Sequence, residues 1–298
     1  MDWKLFKDAA AQCGVEQIVA VDVGARWGIG DRWEGLGDLV QVFGFDPDEI
    51  ECARLNAISP THVHYVPVAL AESERDATLH IAVEPACSSL FPPIETLSTL
   101  LPELACIAPA RTETVTLQSF ETWKKQSGIG PVSAMKLDAQ GGELDVLRGA
   151  GHALKDVQLL EIEVEFNPIY QGQPLFGDID RCLREQGFVL WSLTNTVHYS
   201  NARLPGLNLR MPDVSFFDSK PVPFERGGGQ LFWAHAYYTK AEFSPGSLEC
   251  VNANQAIRAA IVALGYGLND LAHIALQKIS DGLDETNVDE LLADILRK

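Results

Sequence analysis

Four stretches of the sequence bring carboxylates, glycines and amides to points where a strand gives way to a helix or loop. The first is Val21-Asp22-Val23-Gly24-Ala25-Arg26-Trp27-Gly28. Gly24 and Gly28 allow a sharp turn and close approach of a ligand, and the helix start beyond favours anionic groups. Arg26 holds the second glycine position of a dinucleotide G-x-G-x-x-G, so the spacing is not that one. Asp22, two residues before the turn, points instead to a ligand carrying an amino group; the alternative is an ordinary strand-to-helix turn with two glycines. The second stretch is Phe43-Gly44-Phe45-Asp46-Pro47-Asp48. A carboxylate there accepts hydrogen bonds from both ribose hydroxyls of a nucleoside, unless Asp46 or Asp48 only caps the next helix. The third is Lys136-Leu137-Asp138-Ala139-Gln140-Gly141-Gly142-Glu143. Asp138 and Gln140 face the same crevice as the first turn if this is an open α/β sheet, whose ligands lie beyond the strand carboxyl ends. A cap on a helix starting near Gly142 is the plainer use of Asp138.

The fourth stretch, Leu160-Glu161-Ile162-Glu163-Val164-Glu165-Phe166-Asn167, puts three glutamates on one face of a strand. Burying them unpaired is very costly, so they are paired, hydrated or turned to a cleft, or the strand is a solvated edge. Glu165 and Asn167, nearest the carboxyl end, are the functional candidates. Glu161 is read as structural, paired with a base such as Lys136 or Arg148. The seven histidines lack the H-x-x-x-H metal spacing, although His62-x-His64 puts two on one strand face. Ser88-Ser89 reads as loop. The six scattered cysteines form no C-x-x-C and are expected to be reduced, buried thiols.

These stretches sit in a β-α alternation. Ile18 to Val23, Val40 to Phe45, Val63 to Val68, a run closing at Asp138, Val157 to Phe166 and Phe188 to Leu193 read as strands, with a helix from Glu49 to Asn56. That pattern predicts an α/β fold, a mostly parallel sheet with helices on both faces. Ala77 to Ala82 and Thr112 to Leu117 alternate polar and apolar, and the Pro-containing Glu84 to Pro109 between them is expected to elaborate the sheet as a lid. Leu204 to Gly229, rich in Pro and Gly, leads into a last strand, Gln230 to Tyr238. Helical periodicity then takes over at Ile257 to Leu264, Leu268 to Ile279 and Val288 to Leu296. The expected domains are residues 1–240 and a small C-terminal helical appendage, 241–298, with a packing or subunit-contact role, a homodimer among them.

The 298 residues carry 23 Lys and Arg against 41 Asp and Glu, a formal net charge of −18. Such a surface repels phosphate, which argues against a nucleic-acid partner or an anionic lipid surface. The N-terminus lacks a basic region followed by an apolar run, and no stretch is long and apolar enough to span a bilayer. A soluble, cytoplasmic protein is the expectation.

Taken together, the first and third stretches resemble the FkbM-type methyltransferase family. Asp22 to Gly28 is similar to that family's D-V-G-A-N-x-G turn, with Arg26 in place of Asn. Lys136 to Ala150 is similar to its K-x-D-x-E-G-x-E-x-x-V-L-x-G-A block, with Gln140 in place of Glu. The resemblance covers roughly Val19 to Leu193 and implies a Rossmann-like class I methyltransferase fold. It further implies S-adenosylmethionine as donor, S-adenosylhomocysteine as product, and a hydroxyl of a sugar, glycan or secondary metabolite as small-molecule acceptor. By the same analogy Gly24, Arg26 and Gly28 adjoin the donor's methionine part, Asp22 its amino group, Asp46 its ribose, and Ala69 and Leu70 its adenine. Asp138 is the expected base or acceptor-orienting group, with Glu165 and His152 as alternates. No metal is required, although an Asp138–Glu165 pair suits Mg²⁺ or Ca²⁺. A non-catalytic binding or assembly module on the same fold is the alternative, since Gln140 removes a carboxylate. A nicotinamide-dependent oxidoreductase is disfavoured by Arg26.

Overall fold

The computed structural model describes residues 2–199, 230–279, 283 and 285–297; the Pro- and Gly-rich stretch 204–229 lies outside the described residues. The strands are β1 (Ile18–Val23), β2 (Val40–Phe45), β3 (Val63–Val66), β4 (Ala69–Leu70), β5 (Arg75–Ala82), β6 (Pro109–Gln118), β7 (Val132–Leu137), β8 (Leu159–Glu165), β9 (Phe188–Tyr199) and β10 (Gln230–Lys240). The helices are α1 (Trp3–Gln12), α2 (Glu49–Ile58), α3 (Glu95–Leu100), α4 (Phe120–Ser127), α5 (Glu143–Ala150), α6 (Phe176–Glu185), α7 (Ala253–Gly265), α8 (Asn269–Gln277) and α9 (Glu285–Leu296).

Apolar β-branched runs such as Ile18–Val23, buried at every position, can only be central strands covered on both faces. They assemble in the order β3-β2-β1-β7-β8-β10-β9. Neighbours from β3 to β8 pair in parallel, whereas β10 lies antiparallel between β8 and β9. The chain order reverses between β1 and β7, and ligands of open α/β sheets bind at such a switch point. A smaller sheet, β4-β6-β5, flanks the main one.

One face of the main sheet packs α1, α2, α7, α8 and α9. Phe6 and Ala10 meet Ile18, Ala20, Val42, Leu55, Ile257, Ala260, Leu271 and Leu291 there. The other face packs α4, α5 and α6, through Phe120, Val146, Leu147, Ile179 and Leu183 against Val19, Val21, Met135, Leu160 and Ile162. The C-terminal helices thus share a core with the sheet, and their apolar stripes turn inward; Leu296 is the large apolar residue of α9 that stays exposed. A third cluster joins residues 101–107 to Ile169, Tyr170 and Phe232, so the segment between β5 and β6 is seated on the loop after β8. Among the described residues no helix is long and apolar enough to cross a membrane. All six cysteines are free thiols; Cys52 is buried, Cys250 is exposed, and the rest lie between.

Candidate functional site

The carboxyl ends of β1, β2, β7 and β8 converge, and the turn after β1 is held there by its neighbours. Gly24 and Ala25 both donate backbone hydrogen bonds to the Phe45 carbonyl, and the Asp138 amide donates to the Val23 carbonyl at 3.0 Å. Gly24 has φ +80°, and a Cβ there would stand 1.9 Å from the Asp138 carbonyl oxygen, so glycine alone fits. The turn continues left-handed at Trp27 (φ 74°) and Gly28 (φ 97°). Tyr65 of β3 pins its far side by accepting from the Ile29 amide at 3.1 Å.

Two carboxylates flank this turn. Asp22 is buried, and burial pushes its pKa up to about 6 against the pull of Lys136 and Arg32. Lys136 Nζ lies 3.3 Å from Asp22 Oδ1 and 3.5 Å from Asp138 Oδ2, bridging β1 and β7. Asp46 ends β2; its Oδ1 accepts from the Asp48 amide at 2.8 Å, and no described residue donates to its Oδ2. The cap of α2 is Asp48, whose side chain accepts from the Ile50 and Glu51 amides, which leaves Asp46 available to a ligand. Arg26 binds Asp48 Oδ2 at 2.9 Å and approaches Asp46 at 3.7 Å, holding the Asp46–Asp48 corner in place. The Asp46 amide donates to the Val66 carbonyl, which brings the end of β3 beside that corner.

The third stretch builds the other wall. Asp138 is not a helix cap: α5 begins after Gly142, with no side-chain cap. Glu143 instead closes the loop from inside, accepting from the Ala139 and Gly141 amides, and burial pushes its pKa up to about 7. Gln140 is left-handed (φ 51°), and its side-chain amide and backbone carbonyl are both engaged. Its Nε2 donates to Asp138 Oδ1 (3.0 Å) and Glu163 Oε2 (2.8 Å), and its Oε1 accepts from the Tyr170 hydroxyl at 2.8 Å. Its carbonyl accepts from Ser89 Oγ at 2.6 Å, so Ser89 anchors the loop. A glutamate at 140 would lack the two donated bonds; the amide lets two neighbouring carboxyls approach one another.

Every residue of β8 is buried, which rules out the edge-strand reading. Glu161 is paired as expected, but with Arg32 (2.7 Å) and His235 Nδ1 (2.9 Å) rather than Lys136 or Arg148. Burial would raise its pKa, yet the His235 hydrogen bond and Arg32 outweigh that and hold it at about 2. Glu163 and Glu165 are the reverse: burial, with Asp138 and Glu143 nearby, drives both well above the ordinary carboxylate range. Glu165 Oε2 and Gln173 Nε2 are buried without a hydrogen bond among the described residues. Asn167 is turned to the structure of the loop, donating to the Leu231 carbonyl at 2.7 Å.

Asp22, Gly24, Arg26, Gly28, Asp46 and Asp138 therefore stand at the carboxyl ends of β1, β2 and β7; Glu165 ends β8 but is buried, and Ala69 and Leu70 form β4 of the smaller sheet. His152 does not join them. It lies after α5, before β8 begins, its side chain 76% exposed and 3.3 Å from Glu121 of α4. Arg32, Tyr170, His235 and Tyr266 adjoin these residues although the sequence did not single them out, and Gln140, which it did, serves as a bridge. The Arg32 guanidinium sits 4.2 Å over the Tyr266 ring, so the turn between α7 and α8 reaches the site. A signal for His235 was present in Trp233-Ala234-His235-Ala236-Tyr237, where polar aromatics alternate with alanines on a strand. Among the described residues no group of three or more His, Cys, Asp or Glu is arranged to hold a metal ion.

This donor set fits S-adenosylmethionine: an under-neutralised buried carboxylate for an ammonium at Asp22, a carboxylate oxygen open for ribose hydroxyls at Asp46, and exposed backbone between them. No curated protein matches the sequence. Solved structures with a similar course of the chain include the magnesium protoporphyrin IX methyltransferase of Synechocystis PCC 6803 (10% identity, 80% of this chain and 76% of that one, TM-score 0.33). Others are the precorrin-6y C5,15-methyltransferase of Geobacter metallireducens GS-15 (7%, 80% and 89%, TM-score 0.35) and the 1,6-didemethyltoxoflavin-N1-methyltransferase of Burkholderia thailandensis (15%, 80% and 79%, TM-score 0.32). The family model of the methyltransferase FkbM domain matches residues 22–190, from Asp22 at the first turn to Leu190 in β9 and more than half of the chain. The protein belongs to the FkbM methyltransferase family, with the class I fold and the S-adenosylmethionine dependence that membership carries.

Proposed function

We propose that the chain transfers a methyl group to a hydroxyl oxygen of a small polyhydroxylated acceptor, a sugar, glycan unit or secondary metabolite. One observation carries this: next to the donor end of the crevice the Asp138 carboxylate is held by Gln140, which also bonds Glu163 on the neighbouring strand. A carboxylate accepts from hydroxyls. Asp138 is the accessible member, its side chain 27% exposed.

The donor supplies a methyl group on a positively charged sulfur that keeps the electron pair of the broken bond. What remains for the chain is alignment and the management of one proton. Asp22 holds the amino group, Asp46 the ribose, the Gly24–Gly28 backbone the methionine part, and Ala69 and Leu70 border the adenine. Asp138, already facing Lys136 and accepting from Gln140, orients the acceptor hydroxyl. The test is calorimetric titration with S-adenosylhomocysteine, then transfer from ¹³C-methyl donor to methyl glycosides and simple phenols. Asp46→Ala is expected to weaken binding about tenfold or more, or 1.4 kcal/mol. Asp138→Asn is expected to keep that binding and lose transfer. The ¹³C shift of the new methyl separates O-methyl from N- or C-methyl products, and either of the latter refutes the hydroxyl assignment.

A further inference from the structure

We propose that His235 takes the acceptor hydroxyl's proton, held in its basic tautomer by Glu161 and, behind it, Arg32 and Tyr266. The inference rests on the reading of methyl transfer to a hydroxyl.

The placement follows from strand register. Lys136 of β7 pairs with Glu161 of β8, and Tyr237 and His235 of β10 pair with Glu161 and Glu163. Asp138, just past the end of β7, is therefore level with Glu163 and His235, and the side chains of all three lie on the same face. His235 stands two strands from Asp138, about 10 Å at the usual strand spacing, a span that a sugar-sized acceptor bridges.

The chemistry follows from hydrogen bonding. Glu161 is ionised, so it can only accept. Its Oε1, 2.9 Å from Nδ1, therefore requires the hydrogen on Nδ1, which leaves the lone pair of the neutral ring on Nε2. Tyr237 donates to the same oxygen at 3.3 Å, and Arg32 occupies Oε2 at 2.7 Å. Nε2 has no partner among the described residues and is not among the solvent-sealed polar atoms, while the side chain is 16% exposed. A carboxylate that fixes the tautomer and an unengaged nitrogen opposite it are the two things a general base needs. Asp138 lacks the second, because Lys136 and Gln140 already engage its oxygens.

In the step itself the acceptor O–H bond breaks, its electron pair stays on oxygen to form the new C–O bond, and the proton forms the Nε2–H bond. The imidazolium is stabilised by Glu161, and Arg32 keeps that carboxylate from being uncompensated in the resting protein. The proton leaves through the exposed ring edge. Groups facing the ring are Glu161 and Glu163 of β8, Thr194 opposite on β9, Tyr237 below, and Trp233, whose ring centre is 5.8 Å away.

The test has a readout independent of turnover. Long-range ¹H–¹⁵N spectra of the imidazole-labelled full chain, with His235→Gln to assign the signal, report which nitrogen carries the hydrogen. The expected result is the Nδ1–H tautomer in the neutral ring; an Nε2–H tautomer overturns the proposal, since that nitrogen then has no lone pair for the proton. His235→Gln should also bind S-adenosylhomocysteine within about twofold of the parent yet transfer methyl groups at least about a hundredfold more slowly. Transfer within about tenfold of the parent overturns it as well. If no panel compound accepts a methyl group, the tautomer decides alone. Failure of the parent chain to bind S-adenosylhomocysteine, or an N- or C-methyl product, counts against the function reading and leaves the tautomer result standing.

Discussion

Replacing Gly24 by alanine tests how tightly three strands are drawn together at the mouth of the crevice. The new Cβ would stand 1.9 Å from the Asp138 carbonyl oxygen, and relieving that contact means moving the end of β7 away by roughly 1.5 Å to reach ordinary van der Waals distance. A shift of that size stretches the 3.0 Å Asp138-to-Val23 hydrogen bond beyond use, a loss of about 1 kcal/mol. The left-handed backbone at φ +80° adds about 1–2 kcal/mol for any residue with a Cβ, and residual strain brings the expected cost to roughly 3–4 kcal/mol. Gly128 is the control: it caps α4 at φ +69° with nothing within 4 Å of its Cβ, so Gly128→Ala should cost only the backbone share, about 1 kcal/mol. Urea unfolding of both variants, followed by far-ultraviolet circular dichroism, measures the difference. Calorimetry with S-adenosylhomocysteine should show binding weakened in Gly24→Ala and unchanged in Gly128→Ala. Equal destabilisation of the two would refute the claim that close approach of β1 and β7 shapes the site.

Other outcomes follow from the charges. Asp22 must be ionised to hold an ammonium, and burial has pushed it up to about 6, so S-adenosylhomocysteine affinity should fall as pH drops through that value. In Lys136→Met the midpoint should move upward, weakening binding at neutral pH; calorimetry across the range checks both. Gln140→Glu replaces two donated hydrogen bonds with a further buried carboxyl, so it should destabilise at about pH 8 by roughly 2–4 kcal/mol and recover toward pH 5 as the group takes up a proton. Destabilisation that does not change with pH would show that repulsion is not its cause. Glu161, at about 2 in the fold against 4.5 ordinarily, contributes stability that is present above 4.5 and lost as pH falls toward 2. Unfolding free energies from urea titration of the parent and Glu161→Gln should accordingly differ by about 3 kcal/mol at neutral pH and converge only as pH falls to about 2.

The sheet was legible where its strands are continuous apolar runs that end in glycine or Asp-Pro. The runs Ile18 to Val23 and Val40 to Phe45 coincide with β1 and β2, and the helix after Asp48 starts where its cap stands. Long-range pairing was not legible. Glu161-x-Glu163-x-Glu165 announces a need for cations or protons, yet its partner Arg32 lies 129 residues away and His235 lies 74 away. Only the insertion of β10 between β8 and β9 brings that histidine alongside, and no local pattern encodes the insertion. His152, an alternate base in the sequence reading, is carried off to Glu121 by α5. For Asp46 and Asp138 the sequence left capping and ligand binding open, and the caps of α2 and α5 show that neither residue serves as the cap.

The first and last helices cover the same face of the sheet, and this sets an order of assembly. The Asp2 amide bonds to Asp294, Asn254 to the carbonyls of Cys13 and Gly14, and Arg258 to that of Gln17. These contacts join residues 240 to 292 positions apart, so loop closure over most of the chain precedes them. At about 5–20 residues per second of synthesis, Phe6 and Ala10 wait roughly 10–50 seconds for α7 to emerge from the ribosome. Over that interval the nascent protein shows solvent the apolar side of β1 and β2, a ready surface for chaperones and for unwanted association. Newly made chains should be more prone to aggregate when translation pauses before residue 253 than when it pauses after α8 is complete.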